Sequence, residues 1–415
     1  MRQGLLWLHR YVGLVLAMFL AIAGLTGSVL AYNDELEAWL SPQLFVAAPP
    51  HAGAQRMDPV LLHAQMAARY PQALVLRMPL EVVEGRSVLF ALRAVPGKGK
   101  ALAQDQVFVD PYSGRILGER LWGDLGQGVK NLMPFVYRLH YSLALGPLGT
   151  LLFGVVALLW TLDCFVGAWL TLPKTRTRTT VAQGIGKPWL ARWWPAWKLR
   201  GGSAYKVSFN LHRAGGLWIW AMLLVLAWSS VGFNLPQVYE PVTRTLLAHQ
   251  PGMESIPKLV RPNLQPALDW AHALPQARLL MAQQASDRGF VVAAEKSLLY
   301  DPLRGVYRYD VRSSRDIRDH GGHTRMLIDG NSGALRGLWL PTGAAAGDTV
   351  TTWINTLHMS AMWGWPLQLL ICLLGLTVTM LSITGVIIWL KKRRALMLHK
   401  IAAGERGGSL AIITP

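Results

Sequence analysis

The sequence predicts an α-helical membrane protein with four transmembrane helices in two parallel repeats and two external α+β domains. Three observations lead to this fold class. Four apolar stretches are each about 20 residues long, enough to cross a hydrocarbon core about 30 Å thick. Basic residues flank these stretches, and the polar segments between them contain a repeat. With 52% hydrophobic and 15% charged residues, the chain is too apolar for an ordinary soluble protein.

The apolar stretches divide the chain into eight segments. The stretches are Tyr11–Ala31, Leu148–Leu172, Leu217–Leu235 and Leu367–Leu390. From them we expect transmembrane helices in 1–32, 140–173, 211–235 and 358–391, external domains at 33–139 and 236–357, a basic loop at 174–210 and a tail at 392–415. The two cysteines, Cys164 and Cys372, lie in apolar runs and exclude a disulfide scaffold.

The basic residues predict the orientation in the membrane. Seventeen lysines and arginines, against the single acid Glu405, lie at the N-terminus, in the 174–213 connection and after the last span. They carry +16 of the formal charge of +18. Because basic loops stay on the cytoplasmic side, we expect both termini and this connection in the cytoplasm. The charge indicates contact with anionic lipid in the bilayer and argues against nucleic-acid binding.

An internal repeat relates the two halves of the chain. Three elements recur in order: Leu8-His9-Arg10 as Leu211-His212-Arg213, Val109-Asp110-Pro111-Tyr112-Ser113-Gly114 as Ile328-Asp329-Gly330-Asn331-Ser332-Gly333, and Leu139-His140 as Leu357-His358. Each half is therefore a unit of span, external domain and span, and the halves run parallel. Ser28-Val29-Leu30-Ala31 resembles a signal cleavage site, but the repeat makes the first span a paired part of the fold.

Each external domain is expected to pack a helix on a small antiparallel sheet. The predicted helices are Pro59–Arg69 and Pro266–Ala273, each ending near a Pro-Gln-Ala sequence. The predicted strands are Leu74–Met78, Ser87–Arg93 and Gln106–Asp110 in the first domain, and Arg278–Ala282, Gly289–Ala294, Gly305–Val311 and Arg325–Asp329 in the second. The repeated Asp-x-x-Ser-Gly has the residues of a tight turn between strands.

Four of the 11 histidines, His9, His140, His212 and His358, occupy equivalent places at the starts of the four spans. A single histidine at a membrane edge is more often interfacial than a ligand, but the repeat favours a shared role. In the expected topology His9 and His212 lie at the cytoplasmic face and His140 and His358 at the outer face. Two imidazoles without a carboxylate or thiolate suit an axial pair on haem better than zinc, which prefers four ligands.

These repeated elements resemble the PepSY-associated transmembrane proteins, and within that family the inner-membrane ferric-siderophore reductases of Gram-negative bacteria. The resemblance extends from Leu8 to about Arg394. It implies a multi-pass protein of the bacterial inner membrane with two periplasmic PepSY domains. It further implies two b-type haems, bound by His9, His212, His140 and His358, that carry electrons outward to a ferric siderophore, for which we expect the hydroxamate type. The sequence contains no Gly-rich dinucleotide motif and no flavin domain, so the donor would be a separate cytoplasmic or membrane component.

Other residues have two interpretations each. His320 and His323 could bind a metal, although a polar surface turn is the more common use of such a sequence. Met359 and Met362 could line a docking surface or a haem edge, or belong to an aromatic belt with Trp363 and Trp365. Asp163, inside the second span, is a functional candidate or a partner of the basic residues that follow.

The glycines near the spans also have two interpretations, since they could admit a macrocycle or pack helices together. They are Gly13, Gly24, Gly27, Gly154, Gly167, Gly215, Gly216, Gly375 and Gly385.

Three other functions stay open at this point. The protein could be a haem conduit to another periplasmic acceptor, a PepSY protein that binds peptides or restrains a protease, or a transporter. A peptide-binding module has no need of paired histidines at both membrane faces. A transporter is disfavoured because we expect neither broken helices nor several buried charges in the spans.

Overall fold

The computed structural model describes residues 1–95, 101–174 and 187–409, with side chains up to Leu398. Arg176 and Arg178 of the predicted basic loop, and residues 410–415 of the tail, lie outside the described residues. The α-helices are α1 (Arg2–Leu30), α2 (Asn33–Leu40), α3 (Pro42–Phe45), α4 (Pro59–Arg69), α5 (Leu132–Ser142), α6 (Gly146–Thr171), α7 (Trp189–Trp193), α8 (Ala204–Trp218), α9 (Trp220–Asn234), α10 (Pro236–Leu246), α11 (Trp270–Arg288), α12 (Ala346–His358) and α13 (Trp365–Ser409). The strands are β1 (Ala73–Val75), β2 (Arg77–Pro79), β3 (Val88–Ala94), β4 (Gln106–Val109), β5 (Ile116–Arg120), β6 (Val292–Asp301), β7 (Val306–Ser313), β8 (Thr324–Asp329) and β9 (Leu335–Trp339).

The first of two compact units consists of membrane-type helices, and we call it the helical unit. It comprises Met1–Val29, Leu139–Val238 and Leu369–Pro415. Within the described residues, three helices are long and apolar enough to cross a membrane, namely α1, α6 and the Trp365–Leu398 part of α13. The helices α8 and α9 meet at an angle of 73° and make a fourth crossing if the pair is one span.

The third predicted span, Leu217–Leu235, is not one straight helix. The backbone leaves the helical conformation at Ile219, where φ is −111° and ψ is 13°. Two glycines, Gly215 and Gly216, precede this break and lower the helix propensity. The charged residues Lys206 and Arg213 lie before the break on α8, whereas α9 contains no charged residue. The expectation that no span is broken is therefore wrong, and the absence of broken helices can no longer be held against a transporter.

Small residues bring α1 and α13 into backbone contact. A Cβ atom added to Gly24 would lie 2.5 Å from the carbonyl oxygen of Gly375. One turn further along α1, the Ser28 hydroxyl donates to the carbonyl of Cys372 at 2.9 Å. Because lipid tails are as apolar as leucine, close packing and hydrogen bonds of this kind hold membrane helices together. Gly24 and Gly375 thus serve helix packing, one of the two uses considered for the glycines.

The second unit, Leu30–Arg138 with Tyr239–Gln368, contains two antiparallel sheets, and we call it the sheet unit. The strand orders are β1-β3-β4-β5 and β2-β6-β7-β8-β9. The helix α4 packs on the first sheet through Met66, which contacts a core that includes Phe90. The helix α11 packs on the second sheet through Met281. In each sheet one face is thus covered by a helix.

The run predicted as the single strand Leu74–Met78 contributes to both sheets. Val75 pairs with Leu92 in the first sheet, while Met78 pairs with Leu298 at the edge of the second. The side chain of Met78 is fully buried in the core of the second sheet. The two predicted external domains are therefore joined by strand pairing within one compact unit.

The prediction for the start of the second domain is wrong in two respects. The helix begins at Trp270 instead of Pro266 and continues through Pro275 to Arg288, so the predicted strand Arg278–Ala282 is helical. Burial of α11 residues at intervals of three or four, Leu274, Ala277, Met281 and Ala285, explains the extension, because that spacing places one face of a helix on the sheet. The same Pro-Gln-Ala sequence follows the end of α4 in the first half.

The repeated Asp-x-x-Ser-Gly forms the turns of two hairpins, β4–β5 and β8–β9. The Asp110 carboxylate accepts a hydrogen bond from the Ser113 hydroxyl at 2.7 Å, and Asp329 accepts one from Ser332 at 3.1 Å. The following glycines have positive φ, 70° in the first turn and 71° in the second. Glycine adopts this left-handed conformation without the steric cost that other residues incur.

Candidate functional site

Two of the predicted ligands, His9 and His212, lie side by side in the helical unit. His9 is on α1 and His212 on α8, and their ring centroids are 6.1 Å apart, with an angle of 59° between the planes. A metal–imidazole bond is about 2 Å long, so two imidazoles on opposite sides of one metal ion have centroids about 6 Å apart. The observed separation matches that arrangement.

The Nδ1 atoms of both rings are occupied by hydrogen bonds. His9 Nδ1 lies 2.8 and 3.0 Å from the carboxylate oxygens of Asp163. His212 Nδ1 lies 2.9 Å from the carbonyl oxygen of Leu381 and 3.3 Å from the Thr384 hydroxyl. A carboxylate and a carbonyl only accept, so Nδ1 carries the proton in each ring. In the neutral form of such a ring, Nε2 has the lone pair that a metal needs.

Asp163 and Leu381 occupy the same position of the repeat, 23 residues after His140 and His358 respectively. In the first half the side chain accepts the bond from His9, and in the second half the backbone carbonyl accepts the bond from His212. One repeat position therefore orients both imidazoles, once with a negative charge and once without. The sequence marked Asp163 as unusual, because the second half of the repeat has Leu381 in its place. The contact between Asp163 and His9 could not be read from the sequence.

Each of three histidine rings lies against a glycine of a neighbouring helix. An added Cβ would lie 3.4 Å from His9 Cε1 at Gly167, 3.3 Å from His212 Cε1 at Gly385 and 3.0 Å from His140 Cε1 at Gly27. These glycines leave room for an imidazole that a larger side chain would displace. By contrast, a Cβ at Gly13 or Gly216, one turn after His9 and His212, would meet nothing within 4 Å. No other side chain therefore fills the space beside these two glycines.

His140 lies near the end of α5, before the membrane helix α6 begins. Its Nδ1 is 3.0 Å from the hydroxyl of Thr26 on α1. Between the two helices, Leu143 and Ala144 have φ of 50° and 58°, an uncommon conformation for residues other than glycine. The chain therefore turns sharply after the histidine, and the span starts at Gly146.

His358 is the last residue of α12, and a turn also separates it from its membrane helix, α13. Ser360 and Trp363 have positive φ there, at 53° and 60°. The two repeats thus use the same device, in which a short helix ends at or near the histidine and a sharp turn leads into the span. His140 belongs to the helical unit and His358 to the sheet unit, and their pairing stays a prediction.

The histidines of the second sheet are poorly suited to bind a metal. His320 is exposed, whereas His323 Nδ1 is 3.1 Å from Nη2 of Arg325, which donates to it. Burial first, and then Arg318 and Arg325, lower the pKa of His323 to about 3. The same cations would repel a metal ion. In the described part of the chain no group of three or more His, Cys, Asp or Glu side chains could hold a metal.

The remaining candidates near His358 separate by burial. Met362 is buried, with 3% of its surface exposed, while Met359 is 44% exposed. Trp363 and Trp365 are exposed at the start of α13. Met362 thus belongs to the core, and the other three remain available for an interfacial belt or a docking surface.

Paired histidines between apolar helices, together with two small helix-covered sheets, define a multi-pass membrane protein with a candidate cofactor site. The family model of the PepSY-associated TM region matches residues 6–392. The chain belongs to this family, as its repeated elements suggested. No curated protein matches the sequence.

Proposed function

We propose that the protein is a di-haem reductase of the bacterial inner membrane, of the FoxB type, that passes electrons from the cytoplasmic side to a periplasmic ferric siderophore. The observation that carries this proposal is the His9–His212 pair, with centroids 6.1 Å apart and both Nδ1 atoms bound to acceptors. Two such imidazoles have the donor set of a six-coordinate b-type haem.

The chain's own residues would hold and orient the haems. His9 and His212 would bind the haem near the basic membrane face, with Asp163 and the Leu381 carbonyl fixing the two rings. His140 and His358 would bind a second haem near the other face, with Thr26 orienting His140. The bound haems would supply reversible one-electron transfer.

The substrate chemistry follows from coordination. Siderophore oxygens are hard ligands that bind Fe(III) more tightly than Fe(II), so the addition of one electron weakens the complex and releases Fe(II). A haem with two histidine ligands has no open coordination position. The ferric complex would therefore receive the electron at the haem edge, while its iron stays in its own chelate.

Haem content tests the cofactor part of the proposal. Pyridine haemochrome analysis of the pure, haem-supplemented protein should approach two haems per chain, bound non-covalently because no Cys-x-x-Cys-His motif is present. The His212→Ala variant should lose the same haem as His9→Ala, and His358→Ala the same haem as His140→Ala. A colourless preparation, or one common haem lost from both His9→Ala and His140→Ala, would contradict it.

Electron transfer tests the reductase part. A chemically reduced preparation should reoxidise when it is mixed anaerobically with a ferric siderophore, and a ferrous chelator should trap the released iron. The gallium complex of the same siderophore is the matched control, since gallium(III) accepts no electron under these conditions. Reoxidation by the gallium complex, or none by any ferric chelate, would favour a haem conduit to another acceptor. A protein that binds no haem would favour the peptide-binding function.

A further inference from the structure

The second sheet carries basic side chains on the face away from α11. Paired residues of neighbouring strands point to the same side of a sheet. One row of pairs contains Arg77, Leu299, Arg308 and Leu327, and the next contains Pro79, Ser297, Asp310, Arg325 and Trp339. The alternate residues, such as Met78 and Tyr309, face α11.

Two further cations adjoin these rows, so that five lie together. Lys296 sits at a register shift of β6 and donates from Nζ to the carbonyl of Gly322 at 3.0 Å. Arg318 lies in the loop after β7. We call Arg77, Lys296, Arg308, Arg318 and Arg325 the basic face.

The carboxylates nearby do not neutralise the basic face. Asp310 forms a two-pronged ion pair with Arg308, with N–O distances of 2.9 Å. Asp316 accepts hydrogen bonds from the backbone of Ser313 and from the Thr324 hydroxyl. Asp310, and to a smaller extent Glu81, attract Arg77, and Arg308 opposes them. Within the described residues, the side chains of Arg77 and Arg318 have neither an ion pair nor a hydrogen bond, although both residues are half-buried.

The cations also disfavour one another's charged forms. Burial lowers the pKa of Lys296, and Arg77, Arg318 and Arg325 lower it further against the attraction of Asp310. Burial likewise lowers the pKa of Arg318, and Arg325 adds to this effect. An anion bound among them would relieve this repulsion.

The first sheet shows that the fold does not require such a face. There the equivalent side is covered by the chain itself, with Phe45 of α3 in edge-to-face contact with Phe108 and the ring centroids 4.9 Å apart. Its cation, Arg120, is paired with Glu37 at 2.8 Å. The repeat position of Arg120 is Trp339 in the second sheet, and Arg325 lies over this ring, 5.3 Å from its centroid. Cations and a flat aromatic surface thus stand where the first sheet has its own helix.

A buried hydroxyl in the same rows also lacks a partner. Ser297 is fully buried, and its Oγ has no hydrogen-bond partner in the described part of the chain. A buried polar group without a hydrogen-bond partner is unfavourable. Its position between Pro79 and Asp310 on the basic face places one more donor beside the arginines.

The basic face lies next to the segment that follows His358. The backbone N–H of Asp319, the residue after Arg318, donates to the carbonyl of Ala361 at 3.1 Å. The Asp319 carboxylate accepts from the backbone N–H of Gly364 at 2.8 Å. These bonds tie the loop of Arg318 to the turn between α12 and α13.

We propose that the basic face binds a polyanionic ferric chelate through its carboxylate oxygens, close to the electron exit at His358. The inference rests on the proposed function and assigns an anionic substrate class in place of the neutral or cationic hydroxamates. Guanidinium groups suit this ligand because they bind carboxylates with two parallel hydrogen bonds. The propionates of the outer haem offer the same chemistry, and the experiment separates the two.

The test is equilibrium binding of gallium citrate to the purified haem-loaded full-length protein, with a gallium hydroxamate siderophore for comparison. Gallium citrate should bind more tightly, and its affinity should fall with salt. Arg318→Gln and Arg77→Gln should each weaken it about tenfold, as expected for a hydrogen bond to a charged group. Arg288→Gln, which removes an exposed charge on α11, is the matched control and should bind normally.

Three outcomes would overturn the proposal. The first is equal affinity for the two gallium complexes, and the second is unchanged binding in both basic-face variants. The third is the loss of one haem per chain in Arg318→Gln, which would show that the basic face binds the haem propionates. Circular dichroism checks that each variant is folded, and Lys296→Gln replaces any that is not. Because gallium binding requires no electron transfer, its failure is distinguishable from failure of the reductase: an active reductase that binds no gallium citrate refutes only this site.

Discussion

His9 and Asp163, 154 residues apart in the chain, are joined by hydrogen bonds of 2.8 and 3.0 Å between Nδ1 and the two carboxylate oxygens. The carboxylate is only 13% exposed. One interpretation of the sequence was that Asp163 pairs only with the basic residues Lys174 and Arg176. In the structure, the carboxylate contacts a proposed ligand. A negatively charged hydrogen-bond acceptor at Nδ1 makes an imidazole a stronger ligand for a metal. The neutral carbonyl that accepts from His212 has a smaller effect of the same kind.

Asp163→Asn should raise the midpoint potential of the haem that we propose is bound by His9 and His212. Asparagine keeps an oxygen that can accept from Nδ1 but removes the charge that stabilises Fe(III). A spectroscopic redox titration measures the shift. Asp163→Glu keeps the negative charge and should have the potential of the wild type. Thr161→Val, which removes a hydroxyl bonded within α6, should leave it unchanged. An unaltered potential in a fully haem-loaded Asp163→Asn protein would refute the role of the charge.

Gly167→Leu should reduce the haem content from two to about one per chain. A Cβ there would lie 3.4 Å from His9 Cε1, so the remaining carbons of leucine would push the imidazole out of position. Pyridine haemochrome analysis gives the stoichiometry. Gly4→Leu is the control, because a Cβ at Gly4 meets nothing within 4 Å. Retention of both haems in Gly167→Leu would show that this contact does not position His9.

Arg120→Gln should destabilise the first sheet by about 3 kcal/mol, as expected when one partner of a buried ion pair is removed. Arg120 is 3% exposed and bonds Glu37, Gln106 and the Lys130 carbonyl. Hydrogen exchange of β4 and β5 reports the loss locally. The exposed pair of Arg278 with Glu295 is the matched control, and Arg278→Gln should cost at most about 1 kcal/mol. Equal protection in the two variants would contradict the burial argument.

Acidification should weaken the packing of α4. His63 is buried, donates from Nε2 to the Val75 carbonyl at 2.8 Å and lies over Trp270. Burial lowers its pKa, despite the bond to Val75. The folded state therefore favours the neutral ring, and its stability is complete above the ordinary pKa of about 6.5 and falls as the pH drops below it.

The urea midpoint at pH 7.5 and pH 5 measures this effect. His63→Gln should show a smaller drop than the wild type, while His51→Gln, at an exposed position, should show the full drop. A drop of the same size in His63→Gln would assign the pH dependence to other groups.

The two hairpin turns should be accessible from the periplasm. Arg115→Cys and Ala334→Cys place exposed thiols beside the turns of Asp110 and Asp329, and an impermeant reagent should label both in cells with a permeabilised outer membrane. Lys187→Cys, in the basic connection, should react only after the inner membrane is broken. The opposite pattern would invert the expected topology.

The sequence by itself determined the apolar helices, the repeat and the positions of the four histidines. The length of an apolar stretch and the recurrence of a short motif can both be read directly from the order of residues in the chain. The helix Pro59–Arg69 is an example, since its bounds agree with the structure. The small antiparallel sheets also follow from alternating patterns in short runs.

Tertiary structure decided what depends on distant partners. The break at Ile219, the entry of β2 into the second sheet and the continuation of α11 through Pro275 each follow from packing that outweighs local propensity. The contact of His9 with Asp163 joins residues on separate helices. The five cations of the basic face come from separate strands and a loop, and the register of the sheet together with the path of that loop brings them together. A sequence pattern identifies such residues one by one, but their chemistry depends on distances that the folded chain alone fixes.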